Sequence, residues 1–226
     1  MNSDSKPSHL HLTLWIAVAF AGYNILVRVL PHLLEAMGIA VTLDPTLCPW
    51  SFSPMMALCL FGAARFGQSK LIWLIAIGSF FVGDLLVAGL IATHKGWGAG
   101  FAHSFYSGFF VVYIAFAIGI LMGSRLRRTN RFGPILGAGI LAQLAFFVVT
   151  NFAVWIAFHG TAPGAYAFSF QGLMNCYYMG IPFLGLNALS TLIYGTIFFG
   201  GWNWIAAQTK KPVVAKADKS SVQQTN

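Results

Sequence analysis

Charged residues are scarce in this sequence. Only 8% of its 226 residues are Asp, Glu, Lys or Arg, whereas soluble domains carry about 25%. Apolar residues make up 58% of the chain, and its mean hydropathy is +0.73. This balance excludes an ordinary soluble globular protein. It is typical of a helix bundle in lipid, in which each span needs about 20 apolar residues.

Acidic side chains are too few for most kinds of catalysis. Asp4 and Asp218 lie in the tails and Glu35 and Asp44 lie in a loop, which leaves Asp84 as the one acid inside an apolar run. The sequence contains no HExxH, GxSxG or GxxxxGK[ST] motif. A membrane enzyme acting on a lipid or a cofactor is therefore the weakest functional interpretation, and we expect neither enzymatic activity nor a cofactor.

Cysteine and histidine form no recognisable metal motif. The three cysteines contain no CxxC pair, so they indicate neither a zinc site nor a redox compartment. A soft metal or the cobalt of a corrinoid could in principle be held by side chains near one face of the bundle. Their spacing carries no metal signature, and solvated loop residues are the plainer interpretation. These side chains are His32, Cys48, His94, His103 and His159.

Six apolar runs predict an all-α, polytopic integral membrane helix bundle with six transmembrane helices. The basic residues lie between and after these runs, as orientation signals and lipid-headgroup contacts do, so nucleic acid is not an expected partner. Of the 13 Lys and Arg residues, all but Arg28 and Lys95 fall on one side, which predicts that both termini are cytoplasmic. The predicted spans are 12–30, 50–66, 71–92, 101–123, 134–158 and 182–204.

Segments around the spans need separate interpretations. Residues 164–181 are apolar and aromatic, but a seventh span would place the Lys-rich tail outside, so an outer re-entrant or interfacial piece is predicted. The loop 31–49 contains LLEAMGIA, which predicts a short amphipathic helix over the bundle, as a lid or as packing. AVAFAG resembles a signal-peptidase site, but the apolar run continues to Val29, which favours a retained helix. Residues 1–207 are predicted as one transmembrane domain and 208–226 as a basic, disordered cytoplasmic tail.

Polar side chains inside the spans concentrate in one layer of the predicted bundle. At about 1.5 Å per residue, Asp84 lies roughly 20 Å above the cytoplasmic end of its helix, and Arg28 and Asn151 lie roughly 24 and 25 Å above theirs. Asn24 and Asn187 fall in the same outer half. Polar groups at such depth are costly in lipid and normally face the bundle interior or a watery cavity. The layer therefore predicts a pocket open to the outside.

Arg28 and Asp84 have similar predicted heights, which indicates that they pair or jointly hold a ligand. A structural pair that locks two helices together is an equal alternative. For Asn24, Asn151 and Asn187, hydrogen bonding from helix to helix is the commoner role of such residues, and ligand contact is the alternative.

Several motifs together resemble a bacterial family of uncharacterised six-span membrane proteins. The family pattern runs R-x-L-P-H, N-F-[ST]-P-x-x-A-L-x-L-F-x-G, an intramembrane Asp, [ST]-N-F-x-V-W, C-Y-x-x-x-[IL]-P-F and G-D-x-x-Y. The likeness covers roughly residues 28–200. Its segments here are RVLPH (28–32), WSFSPMMALCLFGAARF (50–66), GDLL (83–86), TNFAVW (150–155), NCYYMGIPF (175–183) and LIYGTIFFG (192–200).

The resemblance implies residues of interest and also has two departures. Ser51 stands where the pattern has Asn, and Ser190 and Thr191 stand where it has Gly-Asp. A second intramembrane acid is therefore missing, which argues against a proton or cation role that needs two carboxylates. The matching positions are Arg28, Pro31, His32, Phe52, Pro54, Asp84, Asn151, Phe152, Trp155, Cys176, Tyr177, Pro182 and Tyr194.

That family is similar in size, span count and termini to the substrate-binding S components of energy-coupling factor vitamin transporters, an analogy at the level of the fold. The similarity implies a multi-pass protein of the bacterial inner (cytoplasmic) membrane that binds or takes up a small, vitamin-like solute from the outer side. It also implies that Ala17 and Ala21, an A-x-x-x-A pair, contact an energising or other membrane-protein partner. The predicted ligand-binding residues are Arg28, Asp84, Asn24, Asn151, Trp155 and Asn187.

The alternative function is a non-catalytic structural or accessory subunit of a larger membrane complex. In that interpretation the polar layer holds the helices together and no ligand enters it. The lipid bilayer is the one partner that both interpretations share.

Overall fold

Long apolar runs with few breaks form helices throughout the chain. The computed structural model describes the backbone of residues 7–39, 52–67, 70–106, 108–127, 129–160 and 165–222. Side chains are described for residue 15 and for 18–39, 52–67, 74–106, 108–127, 129–160 and 165–207. The helices are α1 (Pro7–Ala36), α2 (Met55–Phe66), α3 (Lys70–Lys95), α4 (Trp97–Ser104), α5 (Phe109–Ser124), α6 (Phe132–Ala157) and α7 (Phe170–Val222).

The all-α fold is confirmed for the described residues, which contain no strand beyond one isolated bridge between His159 and Tyr166. Four helical stretches of the described chain are long and apolar enough to cross a membrane. They are Leu74–Lys95, Trp97–Ser124, Phe132–Ala157 and Phe170–Ala207.

The short helix α2 lies at the centre of the bundle and packs against α1, α3, α5, α6 and α7. Every residue from Met55 to Ala64 is buried. The helix is therefore apolar on all sides because neighbouring helices cover all of it. Its 12 residues extend roughly 18 Å, well short of the ~30 Å of a bilayer core. The predicted full span over 50–66 is therefore wrong, because the helix begins only at Met55, with Pro54 at its N-cap.

Glycines let α5 approach α2 closely. Gly119 and Gly123 form a GxxxG pair on α5, and a Cβ at Gly123 would collide with the carbonyl oxygen of Leu60 on α2. A Cβ at Gly119 would collide with the sulfur of Met56. Small residues at this spacing are the usual means of bringing two membrane helices into contact.

The predicted fourth span, 101–123, is two helices. The chain leaves α4 at Phe105 and enters α5 at Phe109, with Gly108 at a φ of 95° that an L side chain rarely adopts. The helix α4 lies against α3, where a Cβ at Gly100 would collide with the backbone of Ala88. The chain turns at Gly96 into α4, which packs against α3, and the break after α4 leads into α5, which packs against α2 and α6.

Residues 164–181 do not form the predicted re-entrant piece. From Phe170 they belong to α7, whose apolar part runs without interruption to Ala207. Its 38 residues extend roughly 57 Å, longer than a bilayer core is thick, so this helix continues past the predicted span in the same direction. The helical backbone also continues to Val222, through the segment predicted as a disordered tail.

Two further predictions concern α1. The helix continues through Pro31 to Ala36, so residues 33–36 of the predicted lid helix extend α1, while 40–49 lie outside the described residues. Ala21 is 8% exposed and packs in the core of this chain, which speaks against its serving as an outer contact surface for a partner. The side chain of Ala17 lies outside the described part, and the partner itself stays a prediction.

Candidate functional site

The expected pairing of Arg28 and Asp84 is confirmed. The Arg28 Nε–H donates to Asp84 Oδ1 at 2.7 Å, and Nη2 donates to the same oxygen. The second carboxylate oxygen, Oδ2, accepts a hydrogen bond of 2.5 Å from the Tyr113 hydroxyl. Asp84 is 1% exposed, whereas the Arg28 side chain is 35% exposed. The pair thus joins α1, α3 and α5 around a buried acid and leaves the cation at the edge of the bundle.

Local sequence on α3 explains how the arginine reaches the acid. Gly83 precedes Asp84, and a Cβ there would lie 2.9 Å from Arg28 Cδ, so the missing side chain makes room for the arginine stem. The guanidinium carbon lies 4.2 Å from the ring centroid of Phe80, one turn earlier. A cation over an aromatic face is stabilised by the ring's quadrupole. Phe80 and Gly83 therefore fix the position of Arg28 over Asp84.

Two histidines lie beside Arg28. His32 follows it by one helical turn, and its ring centroid is 5.2 Å from that of His103 on α4. His103 is exposed and His32 is half-buried. Burial lowers the pKa of His32, and the neighbouring His103 lowers it further, so the neutral imidazole is favoured. His32 follows the predicted outer end of the first span, and His103 lies in the first turn of the predicted fourth span, 101–123.

A second group of polar residues, the neutral cluster, surrounds the start of α2. It consists of Asn24, Ser53, Ser190, Gln143 and Thr191. The Ser53 hydroxyl donates to Asn24 Oδ1 at 2.7 Å, and the Ser190 hydroxyl donates to the Ser53 carbonyl at 3.1 Å. The Gln143 amide donates to the Thr191 hydroxyl at 2.6 Å. These bonds link α1 and α7 to the segment before α2, and α6 to α7.

Two of the positions that depart from the pattern, Ser190 and Thr191, belong to this neutral cluster, and both are buried. Ser190 donates to the Ser53 carbonyl, which a carboxylate could not do, whereas Thr191 accepts from the Gln143 amide, as a carboxylate also could. Asn187 lies one turn earlier on α7 and lines a cavity of about 50 Å³ together with Ser53 and Gln143. Such a space suits ordered water, since pockets for drug-sized ligands are about 300–1,000 Å³.

Asn151 and Trp155 lie in a third place, between α6 and the start of α7. The Asn151 amide donates to the Phe147 carbonyl of its own helix at 2.9 Å, and its Oδ1 would lie 2.5 Å from a Cβ at Gly180. The Trp155 indole donates to the Ala167 carbonyl at 3.0 Å and stacks on Phe168. The segment 165–167 also borders a hollow of about 440 Å³ that Tyr166, Asn175 and Tyr178 line.

The six predicted ligand-binding residues therefore do not converge on one pocket. Arg28 and Asp84 meet, and Asn24 and Asn187 belong to the surroundings of α2. Trp155 bonds to the chain before α7, whereas Asn151 bonds within α6 and packs beside Gly180 of α7. The predicted depths of Arg28 and Asp84 along their helices are accurate enough to predict that the two charges pair. Depth alone carries no information about the direction in which a side chain points around the helix, which is why the layer separates into three groups.

Tyr113 is the functional candidate that the sequence analysis missed. It lies in FFVVYIAF, an apolar run in which its hydroxyl is the one polar side-chain group. A buried tyrosine hydroxyl usually finds a hydrogen-bond partner, so a lone Tyr deep in a span is a signal for a polar neighbour on another helix. Applied to the five acids of this chain, that rule points to Asp84.

No group of three or more His, Cys, Asp or Glu side chains is placed to hold a metal ion within the described part of the chain. His32 and His103 are adjacent to each other, whereas the His159 ring contacts the Ile156 carbonyl and Phe168. Cys48 lies outside the described residues.

Comparison with known proteins places the chain in a family. It belongs to the family of unknown function DUF6580, whose model matches residues 8–214. Neither the curated proteins nor the solved structures contain a match to the chain.

Proposed function

We propose that this protein lies in the bacterial cytoplasmic membrane and binds or takes up a small solute from the outer side, at the site around Arg28 and Asp84. One observation carries the proposal. A buried carboxylate lies where three helices meet and is paired with an arginine that is 35% exposed; one helical turn after this arginine is His32, whose ring contacts His103. Ionisable residues inside membrane helices are costly and most often mark pathways or ligand sites.

The proposed orientation rests on charge. The Lys and Arg residues between and after the spans favour cytoplasmic termini, which places Arg28, His32 and His103 on the outer side. Four helical stretches long and apolar enough to cross a bilayer support the membrane location. The likeness to S components of vitamin transporters agrees with this arrangement but remains an analogy.

The test is binding of small solutes to the purified full-length protein in lipid nanodiscs, by equilibrium dialysis and by the rise in unfolding temperature. The Asp84→Asn variant keeps the shape of the side chain and removes the charge that pairs with Arg28, so it should change the affinity by at least about ten-fold. A matched control is Gln143→Met, which alters a buried polar residue of the neutral cluster. An equal change in both variants, or no binding of any solute, would contradict the proposal.

A second function is favoured by a different observation. The neutral cluster is bonded within itself, as expected of residues that only hold helices together, which supports a structural or accessory subunit of a larger complex. Purification from native membranes in a mild detergent separates the two. A stoichiometric complex that retains no small molecule would favour the accessory role, whereas a single chain with a bound solute would contradict it.

A further inference from the structure

We propose that Arg28, His32 and His103, here the Arg–His cluster, recognise an anionic group of the solute, a carboxylate or a phosphate. This inference rests on the proposed function, because it assigns the chemistry of the same site. It follows from which atoms of the site already have partners and which donors remain near the surface.

Asp84 is poorly suited to receive a cation. Its Oδ1 accepts both bonds from Arg28, and its Oδ2 accepts the Tyr113 hydroxyl. A cationic solute would have to reach a carboxylate that is 1% exposed and displace one of these donors. Leaving Arg28 or Tyr113 without its partner adds the cost of an unpaired polar group.

Donors, by contrast, are in excess. A guanidinium carries five N–H donors in a planar fork, and the bonds to Asp84 engage Nε and Nη2. The same fork matches the geometry of carboxylate and phosphate oxygens, which is why arginine is preferred wherever such groups are bound. The partial exposure of Arg28 places this donor at the edge of the site, with Phe80 holding its face.

His32 adds a donor that depends on pH. His32 lies within electrostatic reach of Arg28 and Glu35 on α1, Lys95 on α3 and His103 on α4. Formal charges nearly cancel in this group, as Arg28 is balanced by Asp84 and Lys95 by Glu35. Protonation of the His32 imidazole therefore leaves a net positive charge and a second N–H donor, and an anion bound there stabilises the protonated form. Affinity for an anion should fall as pH rises.

The anion could come from a soluble solute or from a lipid headgroup at the membrane surface, and the shared chemistry is the anionic oxygen group. The experiment uses the full-length protein in zwitterionic nanodiscs, and the probes are nicotinate, nicotinamide, the cation of 3-(aminomethyl)pyridine and inorganic phosphate. The three pyridines match in size and differ in charge. A parallel arm adds phosphatidylglycerol to the nanodiscs and measures retained lipid by native mass spectrometry.

We expect nicotinate or phosphate to bind at least about ten-fold tighter than the neutral and cationic probes, and nicotinate binding to weaken as the pH rises above the lowered pKa of His32. His103→Gln should weaken anion binding by about three- to ten-fold without lowering the unfolding temperature, since His103 is exposed. His159→Gln is the matched control, because it is an exposed histidine whose ring contacts Phe168 instead. This pair of variants leaves the Arg28–Asp84 bonds intact.

Other results would overturn the inference in distinguishable ways. Equal binding of nicotinamide, tighter binding of the amine, or equal effects of the two histidine variants would contradict the anion site and leave a solute-binding function standing. No binding of any probe, with no lipid retained, would contradict both. Phosphatidylglycerol retained by the unaltered protein and lost in His103→Gln would support the anion site, identify lipid as its source and contradict solute uptake.

Discussion

The Arg28–Asp84–Tyr113 group and the neutral cluster around Ser53 are both built from polar side chains on several helices. They differ in whether a charged side chain reaches the edge of the bundle. In the first, a buried acid is joined to a cation that reaches the edge of the bundle. In the second, amides and hydroxyls bond to one another, and the adjoining cavity has room only for water. Hydrogen bonding between helices is therefore a sufficient explanation for the second group. The first group also contains a charged pair, which is not required to hold helices together.

The largest expected effect comes from removing the cation. Arg28→Ala leaves Asp84 charged and buried without its main partner, which should lower the free energy of unfolding by about 3–5 kcal/mol. Unfolding in mixed micelles under increasing SDS measures this. Adding Asp84→Asn to Arg28→Ala should restore part of the loss, because the unpaired charge is gone. A loss no greater than that of the exposed control Arg131→Gln would show that the pair is dispensable for stability.

A smaller effect is expected from the tyrosine on α5. Tyr113→Phe removes one hydrogen bond to the carboxylate and keeps the ring, so it should cost about 1.5–3 kcal/mol, the range for bonds to charged groups. The same SDS titration applies, with the exposed Tyr178→Phe as the matched control. Equal stability of the two variants would show that the Tyr113 hydroxyl does not stabilise the charged group.

The neutral cluster should respond more weakly. Ser53→Ala removes a hydroxyl that donates to Asn24 and accepts from the Met55 backbone N–H, which should cost about 1 kcal/mol. Solute binding should be unchanged in this variant at saturating probe concentration. Loss of binding with unchanged stability would reverse the roles assigned to the two groups.

The smallest effect is expected at Asn151, whose amide bonds within its own helix. Asn151→Leu should change the free energy of unfolding by about 0.5 kcal/mol or less. Thermal unfolding of the purified protein suffices to compare it with Ser53→Ala. A cost above that of Ser53→Ala would mean that the contact of Asn151 with the α7 backbone near Gly180 contributes more than its hydrogen bond shows.

The sequence predicts which segments are helical better than it predicts how the helices are connected and arranged. Apolar runs predict the long helices, and similar heights predict that Arg28 and Asp84 pair. Both predictions need only the distance along a helix. The position of α2 escapes prediction, since complete burial by neighbours and contact with lipid select the same apolar residues. The break before Phe109 depends on Gly108, and a glycine within a span is too common to signal a break on its own.

The candidate site was predicted in part for a related reason. Asn24, Asn151 and Asn187 share a height with the charged pair, yet they face different neighbours around their helices. Hydrophobic periodicity normally supplies that direction, but helices that are apolar nearly all round provide little of it. A single residue such as Tyr113 then becomes informative, because its polar group has few partners to choose from.

The length of α2 has a consequence for how this protein is made. A helix of roughly 18 Å is too short to span a ~30 Å bilayer core by itself. Four of the helices that cover it, α3, α5, α6 and α7, follow it along the chain. During synthesis, α2 therefore stays incompletely covered by protein until the C-terminal half of the chain emerges. Biogenesis thus depends on late segments that complete the surroundings of an early helix.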